Sequence, residues 1–437
     1  MWLPKRPESL EEAKLDAYYV EASILKILNS QGPTRGGNFA DILKIPYSLI
    51  EPVIQDMRDK DLIGTAGGSG IGGNAGLDFG LTVKGIETAA TAAARSPYFG
   101  PSPVDILDYT VSVQSQKFQT NLVRKQHLDK AFSDIMIGQD YLNQLGPAIN
   151  SGGPIFLYGK PGNGKTTMSE RIARLWRQGM FVPYAIQVAG EVIQVFDEKL
   201  HKVIPPDALP DGHPAKDPKG LDPRWVYVLR PFIIVGGELT LEMLDLNFRG
   251  GQRSYEAPFQ LKANGGVLLV DDFGRQKVKP TDFLNRWIYP LEKGMDFLSL
   301  ASGKKIEVPF EQLLILSTNL DPRDLGDEAF WRRIRYMIET PSPTEKEFKV
   351  IFQTICAKKK IGFDEEAFSY LITKYYREVG REFRSVHPRD ILNRVADHIS
   401  YHTLPSQLTR DLVDSACRAL FGGLAMVQDA AEMRKAG

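Results

Sequence analysis

Cysteine is almost absent: Cys356 and Cys417 are the only two among 437 residues, and both lie in apolar, helical-looking stretches with no partner at metal-ligand spacing. A disulfide scaffold and a cysteine-built zinc site are therefore excluded. An excess of charge of either sign is also missing, since Lys and Arg number 54 and Asp and Glu number 54. With no basic excess there is no overall attraction to a phosphate backbone, so any nucleic-acid role must be local. No run of about 18 apolar residues occurs. The N-terminal Met1-Trp2-Leu3-Pro4-Lys5-Arg6-Pro7 passes into acidic residues rather than an apolar leader. These absences predict a cytoplasmic location and no membrane contact, and no repeat of fixed period suggests a solenoid.

What is present is the usage of a soluble globular chain, 43% hydrophobic and 25% charged. Its length predicts two to four domains at about 100 to 200 residues each. From Lys14 to Leu28, apolar Leu15, Tyr18, Tyr19, Ala22, Ile24, Leu25 and Leu28 recur at helical spacing. Phe39 to Leu43 gives a second helix, and Ser48 is the expected cap of a third that carries Leu49, Ile50, Val53, Ile54, Met57 and Leu62. A glycine-rich stretch over 64–80, including Gly70 and Gly72, precedes a helix entered through Leu81-Thr82-Val83-Lys84. This order over residues 1–95 resembles a winged-helix domain. Residues 96–119, with Pro97, Gly100, Pro101 and Pro103, read as a linker.

Strand-like runs at Pro154–Tyr158, Phe181–Val188, Val267–Val270 and Gln312–Thr318 alternate with helical stretches, as in a parallel sheet of an α/β domain over 120–340. From Pro341 to residue 437 the periodicity is helical throughout, over Glu345–Ala357, Glu365–Val379, Pro388–His402 and Leu408–Leu420, which predicts an all-α lid.

Gly159-Lys160-Pro161-Gly162-Asn163-Gly164-Lys165-Thr166 fits G-x-x-x-x-G-K-[ST] between an apolar strand and a helix expected near Thr167. Such a loop turns its backbone N–H groups around phosphates, aims a helix N-terminus at them, reaches the terminal phosphates with Lys165 and completes a magnesium shell with Thr166. Gly266 to Val270 then runs as a buried apolar strand into Asp271 and Asp272 at its carboxyl end, where α/β sheets place ligands. Asp271 is expected to bind magnesium, and Asp272 to orient or deprotonate an attacking water. A further apolar strand, Leu313 to Thr318, ends in Asn319.

The order of these motifs, followed by Glu328-Ala329-Phe330-Trp331-Arg332-Arg333-Ile334 and by His387-Pro388-Arg389-Asp390, resembles the AAA+ ATPases over about residues 120–437. The resemblance implies a P-loop AAA+ core with a parallel sheet and an all-α lid, binding ATP and Mg2+. It implies that Asn319 polarises the lytic water and that Arg333, beside Arg332, reaches the nucleotide of a neighbouring subunit. It further implies that Arg389 touches the terminal phosphate from the lid, and that the segment through Ile137 and Gly138 packs on the base. Arginine suits such places because its fixed charge and planar fork stabilise charge spreading over a transferring phosphoryl group.

Two departures stand out. Asp271 is followed by Asp272 where most of the family has glutamate, so the carboxylate stands about one methylene further from the water, and slow hydrolysis is expected. An insertion spans roughly 195–262, with a Pro/Asp-rich loop at Pro205–Pro223 and a hairpin-like apolar run at Trp225–Val235. The stretch after Leu241 resembles the substrate-facing loop of bacterial enhancer-binding activators, with Phe248-Arg249-Gly250-Gly251 or Tyr255 as pore candidates and a plain surface loop as the alternative. Residues 1–95 carry ten Lys and Arg against twelve Asp and Glu, which favours protein docking or self-association over DNA. The expectation is a homo-oligomeric ring of six that remodels a protein or nucleoprotein client, with nucleic acid not favoured by charge. The alternatives are a slow ATP-controlled switch and a DNA-associated regulator acting through the winged-helix domain.

Overall fold

Asp16 accepts a hydrogen bond from the Tyr19 N–H and opens the first long helix, Ala17–Gln31, which ends at Gly32 with φ 78°. In the computed structural model, which describes residues 1–68, 73–96, 98–118, 123–176, 178–249, 254–325 and 331–422, this helix buries Val20, Ile24, Ile27 and Leu28. They join Phe39, Ile50, Ile54 and Phe79 in one core. Helices Gly36–Leu43 and Tyr47–Asp59 follow, then strands Ile63–Gly68 and Leu77–Leu81, which pair antiparallel, and helix Val83–Arg95 under a Thr82 cap. The third helix does not start at a Ser48 cap. Pro46, at φ −56° and ψ 137°, precedes the first turn with no side-chain cap, and Ser48 stands exposed in that turn. Gly70, Gly72 and Pro97 lie outside the described residues.

The chain divides into two compact units, one of residues 1–119, 176–270 and 275–314, the other of residues 120–175, 271–274 and 315–437. In the first unit, residues 96–119 include helix Ile106–Ser115, whose Tyr109 and Val113 are buried. Buried Arg224 pairs with Asp222 and donates from Nη1 to Ala13 O at 2.8 Å and to Pro103 O at 3.0 Å. Losing one partner of a buried pair of this kind costs about 3–5 kcal/mol, because the other charge is left without compensation.

The fold is α/β, with a five-stranded parallel sheet. In chain order its strands are β1 (Ile155–Tyr158), β2 (Phe232–Val235), β3 (Val267–Val270), β4 (Leu313–Thr318) and β5 (Tyr336–Glu339), in the spatial order β2-β3-β4-β1-β5. Three of the expected strands are here, and the fourth is not. Phe181–Val188 contains Pro183, which has no N–H for a central ladder. It splits into Gly179–Pro183, paired with Trp225–Leu229, and Ala185–Val188, in a separate five-stranded sheet. Nor is Trp225–Val235 a hairpin. Arg230 and Pro231 divide it, and Phe232–Val235 crosses to pair parallel with β3. In this edge strand Ile233 and Val235 are buried and Ile234 is exposed, so one face is covered and the other is not.

Past residue 340 the described residues hold helices and no named strand: Glu345–Lys359, Glu365–Ile372, a π turn at Thr373–Arg377, His387–His402 and residues 410–422. Thr344 and Glu347 form a reciprocal capping box on the first of them. Phe348, Phe352, Tyr376, Ile391 and Val395 make the core of this helical layer. Residues 423–437 lie outside the described residues.

Candidate functional site

Strand β1 ends at Tyr158 and the chain turns through Gly159, Gly162 and Gly164, with φ of 140°, 85° and 85°. Two of these glycines are also demanded by packing. A Cβ on Gly159 would stand 2.7 Å from Thr340 O, and one on Gly162 would stand 2.6 Å from Val386 Cγ1. Helix Lys165–Ala173 starts at Gly164 with no side-chain cap, so its positive end is presented to whatever the loop encloses.

Lys165, 6% exposed, donates to Gly159 O at 2.8 Å, Lys160 O at 3.2 Å and Asn319 Oδ1 at 2.6 Å. Burial pulls its pKa below the ordinary lysine value, against the fields of Asp272 and Asp271, while Arg384 adds to the lowering. Asn319 passes the connection on, its Nδ2 donating to Asp272 Oδ1 at 2.6 Å. Thr166 Oγ1 donates to Asp271 Oδ2 at 2.7 Å, and Ser317 Oγ donates to Asp271 Oδ1. The lysine, the hydroxyl, both acids and the asparagine are thus one hydrogen-bonded group at the carboxyl ends of β1, β3 and β4.

The turn after β3 is held to the end of β4. Phe273 N–H donates to Ser317 O at 2.7 Å, and Thr318 Oγ1 donates to Phe273 O at 2.6 Å. Asp272 sits between at φ 50°, a left-handed conformation that aspartate tolerates better than most residues. Beneath the loop, Phe156 of β1 meets Phe273 and Trp331 edge-on, at 6.3 and 4.9 Å.

The other expected residues are placed as follows. Lys160 forms an ion pair with Glu382, and Pro161 O accepts from Arg384 Nη1 at 3.2 Å. Buried Asn163 donates to Ser342 Oγ at 3.1 Å, while its Oδ1 is buried with no hydrogen-bond partner among the described residues. Thr167 is half-buried in the first turn of the helix. Ile137 is half-buried, and Gly138 precedes helix Gln139–Asn150 close to Glu347. Their segment is pinned by Asp134, which takes hydrogen bonds from Arg171 and Arg174 at 2.9 Å; burial opposes its charge, but the two arginines hold its carboxyl below the usual range.

Arg332 is exposed and Arg333 half-exposed in the turn after Trp331. Arg389, 63% exposed, lies beside Asp390 at 3.3 Å, and Arg384 of the helical layer donates to the loop. Tyr255 does not offer a pore residue: it is 3% exposed, and its hydroxyl accepts from Ala301 N–H at 2.8 Å. Gly250 and Gly251, the Phe248 and Arg249 side chains, and Glu328 to Phe330 lie outside the described residues.

Ser317, Ser342, Glu382 and Arg384 are contributors that sequence reasoning missed. Only Ser317 left a signal, as the first polar residue, before Thr318, in a strand that starts apolar. The residues present fit a nucleotide with magnesium. Thr166 and Asp271 set two hard oxygens side by side, and the glycine turn leaves room where side chains would clash. No group of three or more His, Cys, Asp or Glu suited to a metal occurs among the described residues, and an ion shared with phosphates and water needs none. A cleft of about 380 Å³ beside the loop is lined by Lys160, Asn163, Thr340, Ser342, Glu382 and Phe383. No helix among the described residues is long and apolar enough to cross a membrane.

Residues 344–419 match the model of a domain of unknown function, DUF8689. No curated protein matches the chain. Among solved structures, NtrX from Brucella abortus is similar at 15% identity and a TM-score of 0.40, over 75% of this chain and 65% of that one. The chain therefore spans just under two thirds of the length of the NtrX chain. The Thermotoga maritima RuvB Holliday junction branch migration motor is similar at 15% identity and a TM-score of 0.36, over 70% of this chain and 73% of that one.

Proposed function

We propose that the chain is a magnesium-dependent AAA+ ATPase that works as a ring of six subunits and remodels a protein or nucleoprotein client. The observation that carries this reading is the linked group Lys165, Asn319, Asp272 with Thr166, Asp271 at the mouth of the parallel sheet. In it Lys165 compensates the terminal phosphates, Thr166 and Asp271 would hold the ion, and Asp272 and Asn319 together orient the attacking water. Bound magnesium supplies charge that neutralises the β- and γ-phosphate oxygens. Arg333 is the finger offered to a neighbour's site and Arg389 the lid arginine; head-to-tail contacts that close give a ring.

The order of three helices, a hairpin and a fourth helix supports a winged-helix reading of residues 1–95. The exposed face of Tyr47–Asp59 carries Ser48, Glu51, Gln55, Asp56, Arg58 and Asp59, an acidic surface suited to protein rather than DNA. A slow switch is the second reading, favoured by the short Asp272 carboxylate already hydrogen-bonded to Asn319. Lys165→Ala tests the common base of both. Nucleotide binding measured by calorimetry should be abolished, and retained micromolar affinity would remove the P-loop assignment.

A further inference from the structure

Residues 381–384 form a strap of the helical layer, in no named helix or strand, whose contacts alternate residue by residue. Arg381 and Phe383 turn into the helices. The Phe383 ring lies 5.0 Å from Phe348 and 4.8 Å from Tyr376, and Arg381 donates to Tyr375 O and covers the Phe421 ring at 3.7 Å. Glu382 and Arg384, with Val386 beyond them, face the glycine loop and engage three consecutive residues of it. Glu382 pairs with Lys160, Arg384 donates to Pro161 O at 3.2 Å, and Val386 N–H donates to Gly162 O at 2.9 Å.

Two of these contacts are to carbonyls, and that fixes the amides. In a trans peptide the C=O and N–H point to opposite sides, and no cis peptide occurs among the described residues. Drawing Pro161 O and Gly162 O toward the lid therefore turns the N–H groups of Gly162 and Asn163 away from it, into the loop. Val386 Cγ1 also fills the space where a Gly162 side chain would stand. Resting on the ATPase reading above, we infer that Arg384 and the Val386 N–H are positioning groups: they set the loop amides for phosphate from outside, without touching the nucleotide. The Lys160–Glu382 pair is exposed on both sides and contributes less, because solvent screens it.

The amides serve any nucleotide with a β-phosphate, so the clamp should act on ADP and ATP alike. Val386 has φ −77°, within proline's range, so Val386→Pro deletes that N–H, at some cost to the Arg384–His387 turn in which it is the third residue. Calorimetry on the full chain should show both affinities weakened roughly five-fold by Val386→Pro, the loss of one neutral hydrogen bond, and changed less than about two-fold by Val386→Ala, which keeps the N–H. Arg384→Ala should weaken both nucleotides likewise and Arg384→Lys restore most of the loss, which decides the matter even if the proline variant fails to fold. Wild-type affinity in both Val386→Pro and Arg384→Ala would overturn the clamp. A loss confined to ATP would overturn it too, because it would mean direct contact with the terminal phosphate. Wild-type protein that binds neither nucleotide would instead remove the ATPase reading itself.

Discussion

Asp272→Asn separates binding from turnover more cleanly than any other substitution at the site. The residue is exposed, sits at φ 50° and accepts from Asn319 Nδ2 at 2.6 Å. Asparagine is at ease in that left-handed conformation, and its Oδ1 can accept the same hydrogen bond, so only the charge is lost. Stability should stay within about 0.5 kcal/mol of wild type, as for surface changes without strain. ATP affinity should hold or rise, because Asp271, Thr166 and the loop are untouched and one negative charge near the phosphates is gone. Turnover should fall by roughly 10²- to 10⁴-fold, the usual contribution of a positioned acid–base group, or about 3–5 kcal/mol of barrier. The assay is phosphate release at saturating ATP beside calorimetric titration. Unchanged turnover would mean that another acid orients the water, and lost binding would mean that Asp272 is part of the cradle. Asp272→Glu is the converse: if the missing methylene limits the rate, turnover should rise despite about 1 kcal/mol of backbone strain at that φ.

Arg333→Ala should bind ATP normally and hydrolyse it poorly, while mixing it with Lys165→Ala subunits should restore activity, since an interface combining an intact loop with an intact finger is complete. Phosphate release against mixing ratio at fixed total protein checks this, and no rescue would argue against action across an interface. His387 predicts an acid weakness in the helical layer. Burial, with Arg384 and Arg381 adding to it, lowers its pKa from 6.5 to about 4. Between those values the unfolded chain binds the proton and the folded chain does not, so stability falls as pH drops from about 6.5 to 4. His387→Gln should flatten that slope in denaturant titrations across the window; an unchanged slope would show that other groups carry it.

Much of the site was legible in one dimension because its parts are local. Gly159 to Thr166 is contiguous, and each position answers to a loop that must turn tightly before a helix. Asp271 and Asp272 announce themselves as the first polar residues after a four-residue apolar strand, and Asn319 closes the polar end, Ser317-Thr318-Asn319, of the next. The helical layer was equally readable, since its aromatic and aliphatic residues repeat at helical spacing over four long stretches.

What pairing and proximity decide was not legible. Phe232–Val235 and Phe181–Val188 look alike as apolar runs, and only their partners place one in the central sheet and the other outside it. Pro183 was the available warning. Sequence reasoning named Arg389 and passed over Arg384, five positions earlier, which meets the loop. Spacing cannot choose between them, because the choice depends on Phe383 entering the aromatic core and turning its neighbours outward. Local chemistry can be read where residues adjacent in the chain act together, whereas contacts between distant segments exist only once the core has set their directions.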